Sequence, residues 1–146
     1  MEVQDRMTKN PVTIRADETA RAAADLMRAH KIRHLPVVDA GGKLVGIVTD
    51  RDIRQILFAP AMRTRVGEGT SLMEQVTVEE IMTSPAITTT PYADLADAAK
   101  IMHERKIGAL PVVERGRVVG ILSEIDVLKA FYEMTGRKVE ARPEDW

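Results

Sequence analysis

An internal repeat is the feature that most constrains how this chain can fold. Residues 31–38 (KIRHLPVV) align with residues 106–113 (KIGALPVV) at an offset of 75 residues. Further along, residues 45–49 (VGIVT) align with residues 119–123 (VGILS) at an offset of 74. Because self-similarity at a fixed period is typical of a duplicated structural unit, the sequence predicts two related units of about 55 residues each.

Each unit is predicted to run strand, helix, strand, strand, helix. Apolar residues recur at i, i+3, i+4 and i+7 within residues 20–27 and again within 95–102, as on the buried face of an amphipathic helix. Thr19 and Asp94 directly precede these helices and are good N-caps. Each Leu-Pro-Val-Val run is followed by a glycine-bearing turn and a second apolar run, which predicts an antiparallel hairpin.

The two units are expected to form one α+β module with pseudo-twofold symmetry. A unit of this size cannot easily cover its own sheet, so packing the units sheet to sheet would bury both apolar faces. Clefts between such units come in related pairs and are favoured places for small ligands. We expect the first unit at residues 1–57, a connector at 58–77, the second unit at 78–132 and a polar tail at 133–146.

Composition excludes several classes of protein. The chain has 21 Lys and Arg against 22 Asp and Glu, and so lacks the basic excess of a general nucleic-acid binder. It has no cysteine, which excludes disulfide scaffolds, and its three histidines do not have the spacing of a metal site. No apolar run approaches the roughly 18 residues that cross a bilayer, and the first residues do not form a signal peptide. We therefore expect a cytoplasmic protein without direct membrane insertion.

The most informative motif follows the last strand of each unit, as Gly-apolar-apolar-(Thr/Ser)-x-x-Asp. It places Thr49 and Asp52 in the first unit and Ser123 and Asp126 in the second. A hydroxyl and backbone N–H groups at a strand-to-helix turn can hold an anion, and a carboxylate one helical turn later can accept ribose hydroxyls. The glycine would let a ligand approach the backbone. The same spacing also forms a capping box, so the motif predicts either a nucleotide site or a helix cap.

Because these motifs occur in the same order in both halves, the chain resembles a tandem pair of cystathionine-β-synthase (CBS) domains, the Bateman module. The resemblance covers residues 3–129. It implies a regulatory module that forms a homodimer and binds adenosine derivatives, such as AMP, ADP, ATP, S-adenosylmethionine or NAD, without a required cofactor. The sequence has no phosphate-binding loop, zinc-protease motif or nucleophile elbow, so we expect no enzymatic activity.

The resemblance also implies which residues bind the ligand. Thr49 and Ser123 would contact phosphate, while Asp52 and Asp126 would hold ribose hydroxyls. The cleft at Thr49 and Asp52 is named the first cleft, and the cleft at Ser123 and Asp126 the second cleft. The second unit would complete the first cleft with Thr88, Thr90, Pro91, Ile107 and Gly108. The first unit would complete the second cleft with Thr13, Arg15, Ala16, Ile32 and Arg33.

The two clefts are not expected to be equivalent. Arg33 and His34 stand where the second unit has Gly108 and Ala109, and Arg51 adds a third cationic residue at the first cleft. We therefore expect the first cleft to accept more phosphate charge than the second cleft. In the alternative interpretation, Arg33 and His34 are only the solvated edge of a hairpin.

Two further interpretations of the whole chain remain open. It could be a structural dimerisation module whose ligand clefts are vestigial. It could also be the regulatory domain excised from a transporter, channel or enzyme. The expected partners are an adenosine-containing small molecule, a second copy of the chain and an effector protein or fused domain, but no nucleic acid.

Overall fold

The structure, a computed structural model, describes residues 1–56 and 72–136. Most of the predicted connector and the tail from residue 137 onward lie outside the described residues. The first half contains a 3-10 turn at Val3–Asp5, β1 (Thr8–Lys9), β2 (Ile14–Arg15), α1 (Ala20–His30), β3 (His34–Val38), β4 (Leu44–Thr49) and α2 (Asp50–Ile56). The second half contains α3 (Leu72–Gln75), α4 (Val78–Ile81), α5 (Leu95–Arg105), β5 (Ala109–Glu114), β6 (Arg117–Ser123) and α6 (Glu124–Met134).

Two three-stranded sheets, in the orders β2-β3-β4 and β1-β6-β5, form the centre of the fold. Strands β3 and β4 are antiparallel, as are β5 and β6, which confirms both predicted hairpins. The register shifts at Val37/Val38 in one hairpin and at Val112/Val113 in the other, as expected for a duplicated unit. The α+β class with two related units is therefore confirmed. The leading strand predicted for the second unit is reduced to one bridge between Thr89 and Val112.

Helices α1 and α5 begin at the predicted caps. The Thr19 side chain accepts a hydrogen bond from the backbone N–H of Ala22, at 3.1 Å. The Asp94 carboxylate accepts one from Ala96, at 2.8 Å. These bonds satisfy N–H groups that a helix cannot pair internally, and so they fix where each helix starts.

The first residues of the chain pack on the second unit. This segment, residues 1–9, is named the first crossing segment. Its Val3 N–H donates to the carbonyl of Ala93 at 2.9 Å, and β1 pairs with β6, with Thr8 opposite Ile121. Val3 is fully buried in the core cluster that contains Leu95. The first unit therefore supplies part of the second unit's core.

The equivalent residues of the second unit pack on the first unit. This segment, residues 76–83, is named the second crossing segment. Its Val78 N–H donates to the carbonyl of Glu18 at 2.8 Å, and Thr83 and Ile47 exchange backbone hydrogen bonds. Val78 is fully buried in the core cluster of the first unit. Each unit therefore depends on the other for a complete core, which the size of the units had led us to expect.

The motif glycines, Gly46 and Gly120, allow the crossing segments to pack closely against the motif strands. A Cβ atom on Gly46 would lie 2.7 Å from the carbonyl oxygen of Thr83. A Cβ atom on Gly120 would lie 2.5 Å from the sulfur of Met7. Both distances are too short for real contacts, so the backbone of Thr83 excludes a larger residue at Gly46, whereas a larger residue at Gly120 would first have to displace the Met7 side chain. The expectation that these glycines admit a ligand is wrong, because protein already occupies the space.

Candidate functional site

The first cleft is a cavity of about 710 Å³ between the two units. Thr49 and Asp52 line it from the first unit, and Ile107 and Gly108 line it from the second. Its volume lies in the range of about 300–1,000 Å³ that small-molecule sites occupy. The structure therefore brings the first motif and part of its predicted complement into one cavity.

The second cleft is a smaller cavity of about 390 Å³. Ser123 and Asp126 line it from the second unit, and Ile32 and Arg33 line it from the first. The pairing mirrors that of the first cleft, because Ile32 occupies the position in the first repeat that Ile107 occupies in the second. Both clefts thus combine a Thr/Ser-x-x-Asp turn of one unit with a strand entry of the other.

In both units the Thr/Ser-x-x-Asp motif forms a capping box. The N–H of Thr49 donates to Oδ2 of Asp52 at 2.8 Å, and the N–H of Asp52 donates to Oγ1 of Thr49 at 3.2 Å. Ser123 and Asp126 exchange the same two bonds, at 2.8 and 3.3 Å. The capping role weighed from the sequence is therefore real. It also fixes each carboxylate against its cleft, and Oδ1 of Asp52 accepts no hydrogen bond from any described residue.

The two motif hydroxyls differ. Oγ of Ser123 donates to Oδ2 of Asp126 at 3.0 Å, so its proton is not available to a ligand. In the described part of the chain, the hydroxyl proton of Thr49 has no such acceptor. A hydroxyl with a free proton can donate to a phosphate oxygen. Thr49 is therefore better prepared than Ser123 to bind an anion.

Six of the predicted ligand-binding residues line neither cavity. Ala16 and Pro91 are engaged by the crossing segments, since their carbonyl oxygens accept from Glu79 and Gln4 at 3.0 and 2.9 Å. The guanidinium of Arg15 lies 3.3 Å from the carboxylate of Asp17 in an exposed ion pair. The ligand roles of these six residues stay predictions: Thr13, Arg15, Ala16, Thr88, Thr90 and Pro91.

Two threonines that were not predicted as ligand residues line the clefts. Thr83 lines the first cleft and Thr8 lines the second. Each lies at the end of a crossing segment, beside the motif strand of the other unit. The Met-Thr pair recurs at the repeat offset of 75 residues, so the sequence held a signal for both positions.

Basic side chains are more numerous in the first cleft than in the second. The first cleft contains Arg33, His34 and Arg51, as predicted, together with Arg54 and Lys106. Arg54 is partly neutralised, because its guanidinium lies 3.1 Å from the carboxylate of Asp50. The second cleft is lined by Lys31, Arg33 and His34. The expected contrast between the clefts is therefore present but smaller than predicted, because Arg33 and His34 line both cavities.

His34 is half-buried between the two units. Its Nε2 lies 3.2 Å from the position that a Cβ atom would take on Gly108. Burial lowers the pKa of His34 below its usual value, because it penalises the charged imidazolium. The carboxylates of Asp50 and Glu124 oppose this shift, and Arg33 reinforces it. His34 is therefore not the exposed side chain of a solvated hairpin edge.

The part of the chain that the structure describes contains neither a membrane-spanning helix nor a metal cluster. None of the helices there is long and apolar enough to cross a bilayer. No three His, Asp or Glu side chains of residues 1–56 and 72–136 group closely enough to hold a metal ion.

The sequence matches the family model of the CBS domain twice, over residues 2–59 and 78–133. A CBS domain-containing protein of Dictyostelium discoideum is 33% identical over 127 residues, which cover 86% of this chain and 88% of that protein. An inosine-5'-monophosphate dehydrogenase of Aquifex aeolicus is 35% identical over 124 residues, which cover 84% of this chain but only 23% of the enzyme. Similar segments thus occur both as small proteins and as parts of enzymes.

Two solved structures show the same fold with ligands. The CBS domain pair of protein MJ0100, in complex with 5'-methylthioadenosine and S-adenosyl-L-methionine, superposes with a TM-score of 0.78 at 33% identity. The structure of CBSX2 in complex with AMP superposes with a TM-score of 0.77 at 28% identity. Each comparison covers 92% of this chain and 98% of the other. The likeness extends over nearly the whole length of both chains.

Proposed function

This chain belongs to the CBS domain family as a tandem pair, and we propose that it is a regulatory module whose two clefts bind adenosine derivatives. The observation that carries the proposal is the placement of Asp52. The Thr49 N–H holds one of its carboxylate oxygens, and the other faces no donor among the described residues. A carboxylate oriented in this way at a cavity wall suits the two hydroxyls of a ribose.

The first cleft has the chemistry for a nucleotide that carries phosphate. The hydroxyl of Thr49 and the guanidinium groups of Arg33 and Arg51 supply donors for phosphate oxygens. Ile47, Ile87 and Ile107 line the same cavity, and branched aliphatic side chains can cover the faces of an adenine ring. Among the described residues no Phe, Tyr or Trp lines this cleft, so adenine would be held without aromatic stacking.

The second cleft is better suited to an adenosine derivative of low charge. It is smaller, and Glu124 and Asp126 line it beside three basic side chains. The hydroxyl proton of Ser123 is already donated to Asp126. Fewer free donors and fewer basic side chains than in the first cleft favour a ligand such as 5'-methylthioadenosine or S-adenosylmethionine over a nucleoside polyphosphate.

We infer that the module acts as a cytoplasmic homodimer and passes its ligand state to an effector protein or a fused domain. A ligand can do so only if it binds one arrangement of the subunits more tightly than another. Large apolar side chains on α6 support a protein contact, because Ile125, Leu128 and Phe131 are 67%, 59% and 69% exposed. A structural dimerisation module would keep this contact and would not need the clefts. We propose no enzymatic activity for the module.

Calorimetry and thermal unfolding with AMP, ADP, ATP, S-adenosylmethionine and NAD test this proposal. A ligand that binds only the folded state stabilises it by about 2.7 kcal/mol at 100 times its Kd. We expect D52N to weaken binding at the first cleft by roughly tenfold or more, and D126N to do the same at the second, while D25N on the exposed face of α1 binds like the wild type. If no adenosine derivative binds the wild type at millimolar concentration, the structural dimerisation module is the correct interpretation.

A further inference from the structure

Three residues form a wall between the two clefts. Arg33, His34 and Glu124 line both cavities. The backbone fixes both sides of this wall, because the carbonyl of Arg33 accepts from the N–H of Asp50 at 3.0 Å, and the carbonyl of Gly108 accepts from that of Glu124 at 2.9 Å. The wall is thus tied to the strand-to-helix turns that carry the two Asp motifs.

The wall exists because the two repeats differ at this position. Arg33 and His34 of the first unit correspond to Gly108 and Ala109 of the second. The small residues leave room, and Nε2 of His34 lies 3.2 Å from where a Cβ atom of Gly108 would be. A perfectly symmetric module would place a separate pair of such side chains at each cleft, whereas this chain supplies one pair for both.

The charge of the wall is limited. Arg33 carries one fixed positive charge, burial favours the neutral form of His34, and Glu124 is acidic. The remaining charged residues belong to one cleft each. Those of the first cleft are Asp50, Arg51, Asp52, Arg54 and Lys106. Those of the second cleft are Lys31 and Asp126. Among the described residues, Arg33 is therefore the one guanidinium that a phosphate in either cleft could contact, while Arg51 and Arg54 serve only the first cleft and Lys31 only the second.

We infer that the two clefts are negatively coupled toward phosphorylated ligands through Arg33 and His34. This inference rests on the proposed function, because it requires adenosine derivatives to enter both clefts. A phosphate bound in one cleft neutralises Arg33, so a phosphate in the other cleft meets the first phosphate and Glu124 across the wall and keeps only the basic side chains of its own cleft. The coupling is reciprocal, since linkage requires each ligand to weaken the other by the same factor. An uncharged adenosine has no phosphate to pair with Arg33, so two adenosines bind independently.

Titration calorimetry with AMP and with adenosine measures this coupling. The single-cleft variants D52N and D126N give the intrinsic AMP affinity of the second and the first cleft. In the wild type we expect the second AMP to bind at least about fivefold more weakly than these variants predict, which is the lower end of typical coupling. Adenosine should give a wild-type isotherm equal to the sum of the two variants.

A variant without the wall tests the assigned residues. R33A/H34A should bind AMP more weakly at both clefts and without coupling, whereas R28A, which alters an exposed arginine of α1, should keep the coupling. If R33A/H34A does not fold, the contrast between AMP and adenosine in the wild type tests the coupling instead.

Two AMP molecules that bind the wild type with the affinities of the single-cleft variants would overturn the coupling and leave the proposed function intact. A cleft that takes no AMP even when the other is disabled also overturns the coupling, and the absence of any adenosine binding overturns both.

Discussion

Thr49 and Asp52 hold each other by two reciprocal hydrogen bonds, at 2.8 and 3.2 Å, on the wall of the first cleft. The same pair therefore starts helix α2 and presents a carboxylate to the cavity. A structural role and a binding role are often treated as alternatives for such a motif. Here the cap orients the carboxylate, so the two roles depend on one another and can be separated only by graded substitutions.

Asp52 offers such a pair of substitutions. D52N keeps an oxygen for the N–H of Thr49, so we expect the free energy of unfolding to change by less than about 0.5 kcal/mol. AMP affinity at the first cleft should fall by roughly tenfold or more, because a hydrogen bond to a charged acceptor is worth about 1.5–3 kcal/mol. D52A should lose the same affinity and about 1 kcal/mol of stability as well. Urea unfolding and calorimetry measure both effects, and unchanged AMP binding by D52N would exclude a ribose contact.

The motif glycines give a prediction about packing alone. In G46A the new methyl group would clash with the carbonyl of Thr83, so we expect a loss of about 1–3 kcal/mol in unfolding free energy. G41A is the matched control, because the nearest atom to its Cβ lies at 3.4 Å in an exposed turn. Urea unfolding compares the two variants. Equal stability of G46A and G41A would contradict the close approach of the second crossing segment.

The sequence predicted the features that depend on neighbouring residues. The caps at Thr19 and Asp94, the two hairpins and the starts of the helices after Thr49 and Ser123 follow from local spacing, and all of them are present. The packing of Val3 on the second unit could not be predicted. The 3-10 turn at Val3–Asp5 is too short to show a periodicity that would assign Val3 to the core of one unit or the other. Ala16 and Pro91, two of the six residues that line neither cavity, have a related explanation. The crossing segments already use the carbonyl groups of those two residues.

The crossing segments predict that a substitution in one unit destabilises the other. V3A removes two buried methyl groups from the core around Leu95, at a cost of about 2 kcal/mol. Because Val3 packs on the second unit, amide hydrogen exchange should accelerate in α5 more than in α1. M1A is the control, since Met1 is 49% exposed in the same segment. Faster exchange confined to α1 would show that residues 1–9 stabilise their own unit instead.

The apolar face of α6 predicts how the proposed dimer responds to charge. L128K introduces a lysine among Ile125, Phe131 and Tyr132, all of which are exposed in the single chain. If a second copy covers this face, light scattering should show a shift from dimer to monomer, with unchanged AMP binding. K129A, next to Leu128 on the same helix, should remain dimeric. A dimer that survives L128K would exclude α6 from the contact.

The half-buried His34 predicts a loss of stability in mild acid. Burial lowers its pKa in the folded state below the ordinary value of 6.5, so the unfolded chain takes up a proton more readily. The neutral side chain therefore contributes stability that is fully present above about pH 6.5 and is lost as the pH falls through the unfolded and then the folded pKa. Urea unfolding of the wild type and H34Q between pH 7.5 and 5 should show a steeper decline for the wild type. H103Q, which alters an exposed histidine of α5, should follow the wild type, and parallel declines of H34Q and the wild type would show that His34 does not titrate in this way.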